Sequence, residues 1–248
     1  MGENVHNMLI LVYLVLVSVV VHGRIIKAPT DTYAIKGDSV EFHCEVENFE
    51  KSGALYWNIN GKEVYSYEFG REEYDGTKYS VEKNSGHFTL QIKDITLKDG
   101  GNCTCEASFE KKSAQLLVFD KPAIILNPHN LIENGTGEFQ CKADFAGRWD
   151  YFARNYFPHL KMFYANDPNQ ELSDHDLTDP VRNTFIKEYN TSLKATMNGL
   201  QLGCELYINH SKISDAEFAT LNVQYAPRNI AHKPEIKTFF VGSEIECS

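Results

Sequence analysis

Short segments in which apolar and polar residues alternate run through most of the chain. In the first half, Val40 to Cys44 and Leu55 to Ile59 each carry an apolar side chain at every second position. A period of two is typical of β-strands that bury one face. Asn60-Gly61 follows the second segment and predicts a tight hairpin turn. The pattern therefore predicts an all-β chain.

The same alternation returns from Glu138 to Cys141. The segment from Pro158 to Tyr164 predicts the central strand of this second unit, and two interpretations of it stay open. Alternation through its apolar residues places Tyr164 in the core. Alignment of the following turn with Asn60-Gly61 places Phe163 there instead, because a shift of one residue exchanges the two faces of a strand.

One stretch of the first unit carries a more specific pattern. Cys44 is followed by Trp57 in the next predicted strand, and Asp99-Gly-Gly leads into a second cysteine, Cys105. In a sandwich of two sheets, such cysteines lie on facing strands, the Trp fills the core beside them, and the Asp fixes a corner between strands. This region resembles an immunoglobulin domain. The chain as a whole resembles the immunoglobulin superfamily, with a likeness to multidomain adhesion and recognition receptors of the nectin-like type.

The resemblance implies two disulfide bonds, one in each unit. The pairs would be Cys44 with Cys105 and Cys141 with Cys204, which have nearly the same spacing. Trp57 would fill the first core against its sulfur pair. Secretion would make these bonds possible, because disulfides persist in oxidising compartments.

The resemblance also implies a structural ion pair. In the family, a basic residue before a Tyr-Ser-Val strand pairs with the Asp of the corner, and here these residues are Lys78 and Asp99. The implied fold class is all-β, with tandem immunoglobulin-like β-sandwiches. The first would be of the V or I set and the second of the C2 set.

The cysteine pattern also indicates the domain organisation. A Gly turn, an alternating strand and a cysteine recur near the end of the chain, where the cysteine is Cys247. This is an internal repeat at the period of a domain. We expect immunoglobulin-like domains at 24–121 and 122–226, and the start of a truncated third domain at 227–248.

The first 23 residues predict a secretory signal. The apolar run from Met8 to Val21 is shorter than the about 20 residues that a spanning helix needs, and Gly23 offers a small residue for cleavage. An uncleaved anchor is the alternative. We expect an extracellular protein, secreted or at the cell surface, and any membrane attachment would use an anchor missing from this chain.

Composition and motifs exclude several function classes. The chain has 248 residues and a net charge of −10, which argues against binding a nucleic acid backbone. No cysteine or histidine pair has zinc spacing, and no phosphate loop, nucleophile elbow or HExxH pair occurs. We therefore expect no enzymatic activity, no cofactor and no metal.

Two cysteines lie outside the expected pairs. Cys103 is two positions before Cys105 and would point the same way along its strand. We interpret it as a small buried thiol, with a bond to Cys44 or to Cys247 as the alternatives. Cys247 would otherwise await a partner from the third domain or another chain.

Four Asn-x-Ser/Thr sequons predict N-glycosylation in a secreted chain. Asn134 and Asn209 fall in predicted turns and suit a glycan best. Asn190 lies near a predicted strand, and Asn102 lies directly before the cysteine at 103.

Function is expected to depend on the domain surfaces, because this fold is a scaffold. The family binds partners through the sheet of the second cysteine's strand or through loops at one end. Tyr65, Tyr67 and Phe69 alternate along one strand there. They would form either an exposed aromatic patch for a protein partner or part of the core, and core packing is favoured for at least two of them.

Two functions remain open. The first is a cell-surface adhesion or receptor ectodomain that binds protein partners, homophilic or heterophilic, through the first domain. The second is a secreted immune-recognition or decoy protein.

Overall fold

The computed structural model contains two β-sandwiches joined end to end. The predicted all-β class and the tandem sandwich architecture are confirmed. Residues 1–22 of the predicted signal and the predicted third repeat at 227–248 lie outside the described residues. The structure describes residues 23–49, 53–68, 70–148, 156–172, 175–179 and 183–225.

The first sandwich consists of two sheets. Its strands are β1 (Arg24–Lys27), β2 (Thr32–Ile35), β3 (Val40–Glu47), β4 (Ala54–Ile59), β5 (Lys62–Glu68), β6 (Arg71–Tyr74), β7 (Tyr79–Asn84), β8 (His87–Ile92), β9 (Gly101–Ala107) and β10 (Glu110–Phe119). A 3₁₀ turn at Leu97–Asp99 precedes β9. The back sheet has the order β1-β3-β8-β7, and the front sheet has the order β2-β10-β9-β4-β5-β6. Strands β5 and β6 extend the front sheet in the way that distinguishes variable-type immunoglobulin domains.

The core of the first sandwich follows the predicted alternation. A disulfide joins Cys44 on β3 to Cys105 on β9, with 6.4 Å between their Cα atoms, and so links the back sheet to the front sheet. Trp57 pairs with Cys105 across β4 and β9 and is fully buried. Phe42 and Leu90 pair across the back sheet and close the core from the other side.

The second sandwich repeats this plan. Its strands are β11 (Ala123–Asn127), β12 (Leu131–Ile132), β13 (Thr136–Ala146), β14 (His159–Tyr164), β15 (Asp167–Leu172), β16 (His175–Asp179), β17 (Thr184–Ser192), β18 (Gln201–Ile208), β19 (Ser211–Lys212), β20 (Glu217–Thr220) and β21 (Val223–Gln224), with a 3₁₀ turn at Ala195–Met197 before β18. One sheet has the order β11-β13-β17-β16. The other has the order β15-β14-β18, with β19 and β20 both paired to β18. The short strands β12 and β21 pair in parallel.

Met162 occupies the core position that Trp57 has in the first sandwich. It pairs with Cys204, which is bonded to Cys141, and it is fully buried. Neither residue considered from the sequence takes this place. Tyr164 is half-buried and packs against the rim of the core. Phe163 lies on the outer side of the sheet. Its ring packs directly over Gly203, where a Cβ atom would lie 2.6 Å from the ring.

The two sandwiches share strand β10. Beyond the first core, Val118 pairs with Ala146 and Phe119 pairs with Phe145 of β13. Leu117, Phe119 and Ile35 belong to the second core rather than the first. Because apolar side chains of one sandwich are buried in the other, the junction is a packed interface and not a flexible linker.

A close backbone approach tightens this junction. A Cβ atom at Gly100 would lie 2.7 Å from the carbonyl carbon of Ala146, which is closer than any real contact. A Cβ atom at Gly147 would likewise lie 2.7 Å from the carbonyl oxygen of Leu116. Residues with side chains at 100 and 147 would therefore force the sandwiches apart.

We predict that Gly100→Ala loosens the junction. The residue has φ −63°, which alanine adopts without strain, so the substitution tests the contact alone. Overpacking of this kind costs about 1–3 kcal/mol. Urea unfolding should show that loss, and small-angle X-ray scattering should show a larger radius of gyration.

Gly199→Ala is the matched control. Gly199 has φ +82° with open space around its missing Cβ, so alanine there adds backbone strain of about 1 kcal/mol and leaves the scattering unchanged. Unaltered scattering for Gly100→Ala would contradict the close approach.

Candidate binding surface

Strand β5 turns its tyrosines toward the core. Tyr65 pairs with Trp57 and Tyr67 pairs with Leu55, so both share the buried face of β4. Tyr65 is 1% exposed, and burial raises the pKa of its hydroxyl. The ring of Tyr67 packs 5.4 Å from that of Phe49. Tyr65 and Tyr67 therefore pack toward the core and do not form an exposed aromatic patch.

The other member of that predicted patch, Phe69, lies outside the described residues. The pairing register of β4 and β5 explains this orientation of the two tyrosines. The pairing of β4 with β5 shifts by one residue between Trp57 and Asn58. Such a bulge changes which side chains face the core.

Tyr56 occupies the centre of the outer face of the front sheet. The alternation that buries Leu55 and Trp57 turns Tyr56 outward, where its neighbours on adjacent strands are Ser66 and Glu106. This position could have been read from the same pattern that identified the core. The sequence interpretation concentrated on the next strand and missed it.

The hydroxyl of Tyr56 donates a hydrogen bond to Glu68. This bond, together with partial burial and the charges of nearby glutamates, raises the pKa of Tyr56 to about 12. The phenol is therefore neutral at physiological pH and remains a hydrogen-bond donor. The bond holds the ring in place on the sheet.

A depression of about 560 Å³ opens around Tyr56 on the outer face. Residues of β4, β5 and β6 line it, and carboxylates dominate the lining. Its residues are Tyr56, Glu63, Ser66, Glu68, Arg71 and Glu73. With a single arginine among three glutamates, the depression carries a negative charge.

Hydrogen-bonding side chains cover the neighbouring part of the outer face. The hydroxyls of Thr104 and Ser113 lie 2.8 Å apart across β9 and β10. Lys111 lies 2.8 Å from Glu106 in an exposed ion pair. This face therefore combines one ordered aromatic ring with polar groups.

The turn between β9 and β10 forms the tip of the first sandwich. Phe109 lies in this turn and is 91% exposed. The other end of β10 pairs with β13. The tip therefore lies at the end of the first sandwich opposite the second.

The corner of the first sandwich contains Lys78 and Asp99. Lys78 Nζ lies 2.8 Å from Asp99 Oδ2. The same carboxylate oxygen accepts hydrogen bonds from the backbone N–H and the hydroxyl of Thr96, at 2.7 and 2.9 Å. Lys78 also donates to the carbonyl of Asp94. The pair joins β7 to the turn before β9.

Cys103 is buried on β9 beside the first core. It is 1% exposed and, among the cysteines of the described residues, it is the one that carries a free thiol. Burial raises the pKa of the Cys103 thiol, which keeps it protonated and unreactive. Cys247 lies outside the described residues.

All four sequon asparagines are exposed. Asn134 and Asn209 lie in turns with φ of 65° and 49°. Asn190 lies on β17 opposite Glu138. Asn102 lies on β9, on the outer face of the front sheet. Its side-chain oxygen accepts a hydrogen bond from Gln115.

Within the ranges that the structure describes, no three His, Cys, Asp or Glu residues are grouped to hold a metal ion. In the same part of the chain, no helix has the length and hydrophobicity needed to cross a bilayer.

We predict that Asp99→Ala lowers the free energy of unfolding by about 2–3 kcal/mol. The substitution removes the carboxylate that the Lys78 ammonium and the Thr96 N–H share at a mostly buried corner, and the ammonium keeps only its bond to the carbonyl of Asp94. Urea unfolding followed by tryptophan fluorescence measures the change. Glu106→Gln, which breaks an exposed pair with Lys111, should cost less than about 0.5 kcal/mol. Equal effects of the two variants would contradict the assigned role of the corner.

We also predict that Glu68→Ala lowers the pKa of Tyr56 from about 12 toward its ordinary value of about 10. Because the folded-state pKa lies above the unfolded value, the stabilisation from this contact is complete below pH 10 and is lost as the pH rises through 12. NMR titration of the labelled Tyr56 ring measures it. Glu41→Ala on the back sheet should leave the titration unchanged.

The first sandwich matches a known domain family, and the two sandwiches together are similar to solved structures. Residues 24–108 match the immunoglobulin domain family. The chain is similar to the solved structure of Rst D1-D2, with 16% identity over 82% of this chain and 100% of that one and a TM-score of 0.48. It is similar to the ectodomain (Ig1–Ig3) of mouse nectin-like molecule 4, with 15% identity over 79% and 67% and a TM-score of 0.49. A third similar structure is DIP-gamma IG1+IG2, with 15% identity over 84% and 99% and a TM-score of 0.49. The family match therefore identifies the first sandwich as an immunoglobulin domain, and the second sandwich repeats its plan of two sheets joined by a disulfide.

Proposed function

We propose that this protein binds a protein partner outside the cell through the outer face of its front sheet, as an adhesion or receptor ectodomain. The observation that carries this proposal is the outer face itself. Tyr56, Ser66, Thr104 and Glu106 all retain contact with solvent there. The second sandwich packs on the end of β10 and leaves this face open.

The chemistry of the face suits protein recognition. Tyrosine is enriched at interface hot spots because it combines a large apolar ring with a hydrogen-bonding group. Tyr56 is already ordered by Glu68, so little side-chain entropy is lost when a partner packs on it. The hydroxyls of Thr104 and Ser113 supply adaptable hydrogen bonds nearby.

The charge of the depression indicates the kind of partner. Glu63, Glu68 and Glu73 line it together with the single cation Arg71. A partner with lysine or arginine at the centre of its contact surface would be attracted to this site. Binding should then weaken as salt is added, because screening acts on exposed charges.

The covalent structure supports an extracellular location. Disulfides join the sheets of both sandwiches, and such bonds persist in oxidising compartments. The packed junction supports the role of an ectodomain, because it holds the recognition domain in a fixed direction.

We predict that Tyr56→Ala and Glu68→Lys each lower partner affinity at least about tenfold. The secreted chain, displayed as a multimer to raise avidity, is tested against a panel of extracellular immunoglobulin-domain proteins and against itself. Affinities of the resulting pairs are then measured for each variant at two salt concentrations.

Glu82→Lys is the matched control, because Glu82 is exposed on the back sheet. It should change affinity less than about twofold. Full binding by both front-sheet variants, with loss in Glu82→Lys, would place the interface on the opposite sheet and contradict the proposal.

A further inference from the structure

The hairpin at the end of β18 carries a predicted glycosylation site at its tip. Asn209 and His210 form a two-residue turn, with Ile208 opposite Ser211 and φ values of 49° and 64°. Positive φ at both positions is typical of a type I′ hairpin, which holds its central residues in one geometry. Both residues are exposed.

Three aromatic rings lie at this turn, one of them in the turn and two on the adjoining strands. Tyr207, two residues before Asn209, stacks on His159 of the neighbouring strand β14, with centroids 5.1 Å apart and planes inclined by 23°. The ring of His159 lies 6.4 Å from that of His210. His159, Tyr207 and His210 are called the ring platform below.

The central ring of this platform is fixed by polar contacts. The hydroxyl of Tyr207 donates to Glu205 Oε2 at 2.8 Å, and Lys212 Nζ donates to Glu205 Oε1 at 2.8 Å. Burial and the bond to Glu205 raise the pKa of Tyr207 to about 12, so the ring is neutral. A fixed ring loses little entropy when another group packs on it.

We propose that the ring platform is the seat of the first sugar of an N-linked glycan at Asn209. Asn209 comes two residues after Tyr207, directly after the end of β18, and the ring of the next turn residue, His210, lies 6.4 Å from that of His159. The C–H groups on one face of a pyranose are weakly positive and complement the negative face of an aromatic ring. The glycan therefore packs on the sheet and shields the hairpin.

The sequon at Asn134 provides a contrast within the same domain. Asn134 is also exposed in a turn with φ of 65°. Its flanking sequence, Leu131 to Thr136, contains no aromatic residue. A glycan there has no neighbouring ring along the chain and should extend into solvent.

Amide hydrogen exchange of the β18–β19 hairpin tests the proposal. The full chain is secreted from cells that make oligomannose glycans, and an endoglycosidase trims each glycan to its first sugar. We expect exchange in the hairpin to be about fivefold slower with this sugar than in Asn209→Gln, from one aromatic contact. Tyr207→Phe should keep the difference, and Tyr207→Leu should abolish it. Asn134→Gln should leave exchange around 134 within about twofold.

Two results would overturn the proposal. One is an unmodified Asn209 in peptide mass spectrometry of the secreted protein. The other is slowing that persists undiminished in Tyr207→Leu. His159→Ala serves as a second variant if Tyr207→Leu is not secreted. Ring-current shifts of the sugar protons in the unsubstituted protein give a readout that needs no variant, and their absence would also refute the contact. These outcomes are independent of the partner-binding function proposed for the first domain.

Discussion

A covalent link between two sheets, with a large apolar side chain in register beside it, is the constraint on which each sandwich depends. In the first sandwich Trp57 fills the space beside the sulfur pair, and in the second Met162 stands in the same register. Methionine fills less volume than tryptophan, while protein interiors are packed to high density. Further aromatic rings in the second core, among them Phe139 and Phe119, contribute the remaining volume. Phe119 belongs to β10, a strand of the first sandwich.

That contribution makes the junction part of the second core. Strand β10 carries its inward residues first into one sandwich and then into the other, so separating the domains would expose Leu117 and Phe119 to water. Domain contacts within a chain are often polar and permit motion. Here the pairing of β10 with β13 and the close approach of Gly100 to the backbone of Ala146 restrict motion between the domains. The direction of the outer face of the front sheet is thereby coupled to the second domain.

The surface divides into regions with different chemistry. The outer face of the front sheet is polar and acidic around an ordered tyrosine, Tyr56. Three of the four predicted glycan positions, Asn134, Asn190 and Asn209, lie on the second sandwich. Asn102 lies on the front sheet, on the strand segment nearest the 3₁₀ turn that contacts β13. Glycans at the three positions on the second sandwich would leave the outer face of the front sheet uncovered, whereas a glycan at Asn102 would stand on that face.

The sequence by itself determined the strands and the inward position of Trp57, because alternation is a local property of the chain. The sequence also indicated the two disulfide pairs, by resemblance to immunoglobulin domains. It also placed Lys78 and Asp99 as partners, by resemblance. Only the tertiary structure decided the orientation of Tyr65 and Tyr67, the core position of Met162 and the pairing of β10 with β13. Each of these depends on the register between strands that are distant in sequence, and a one-residue bulge or shift exchanges the buried and exposed faces without changing the local pattern.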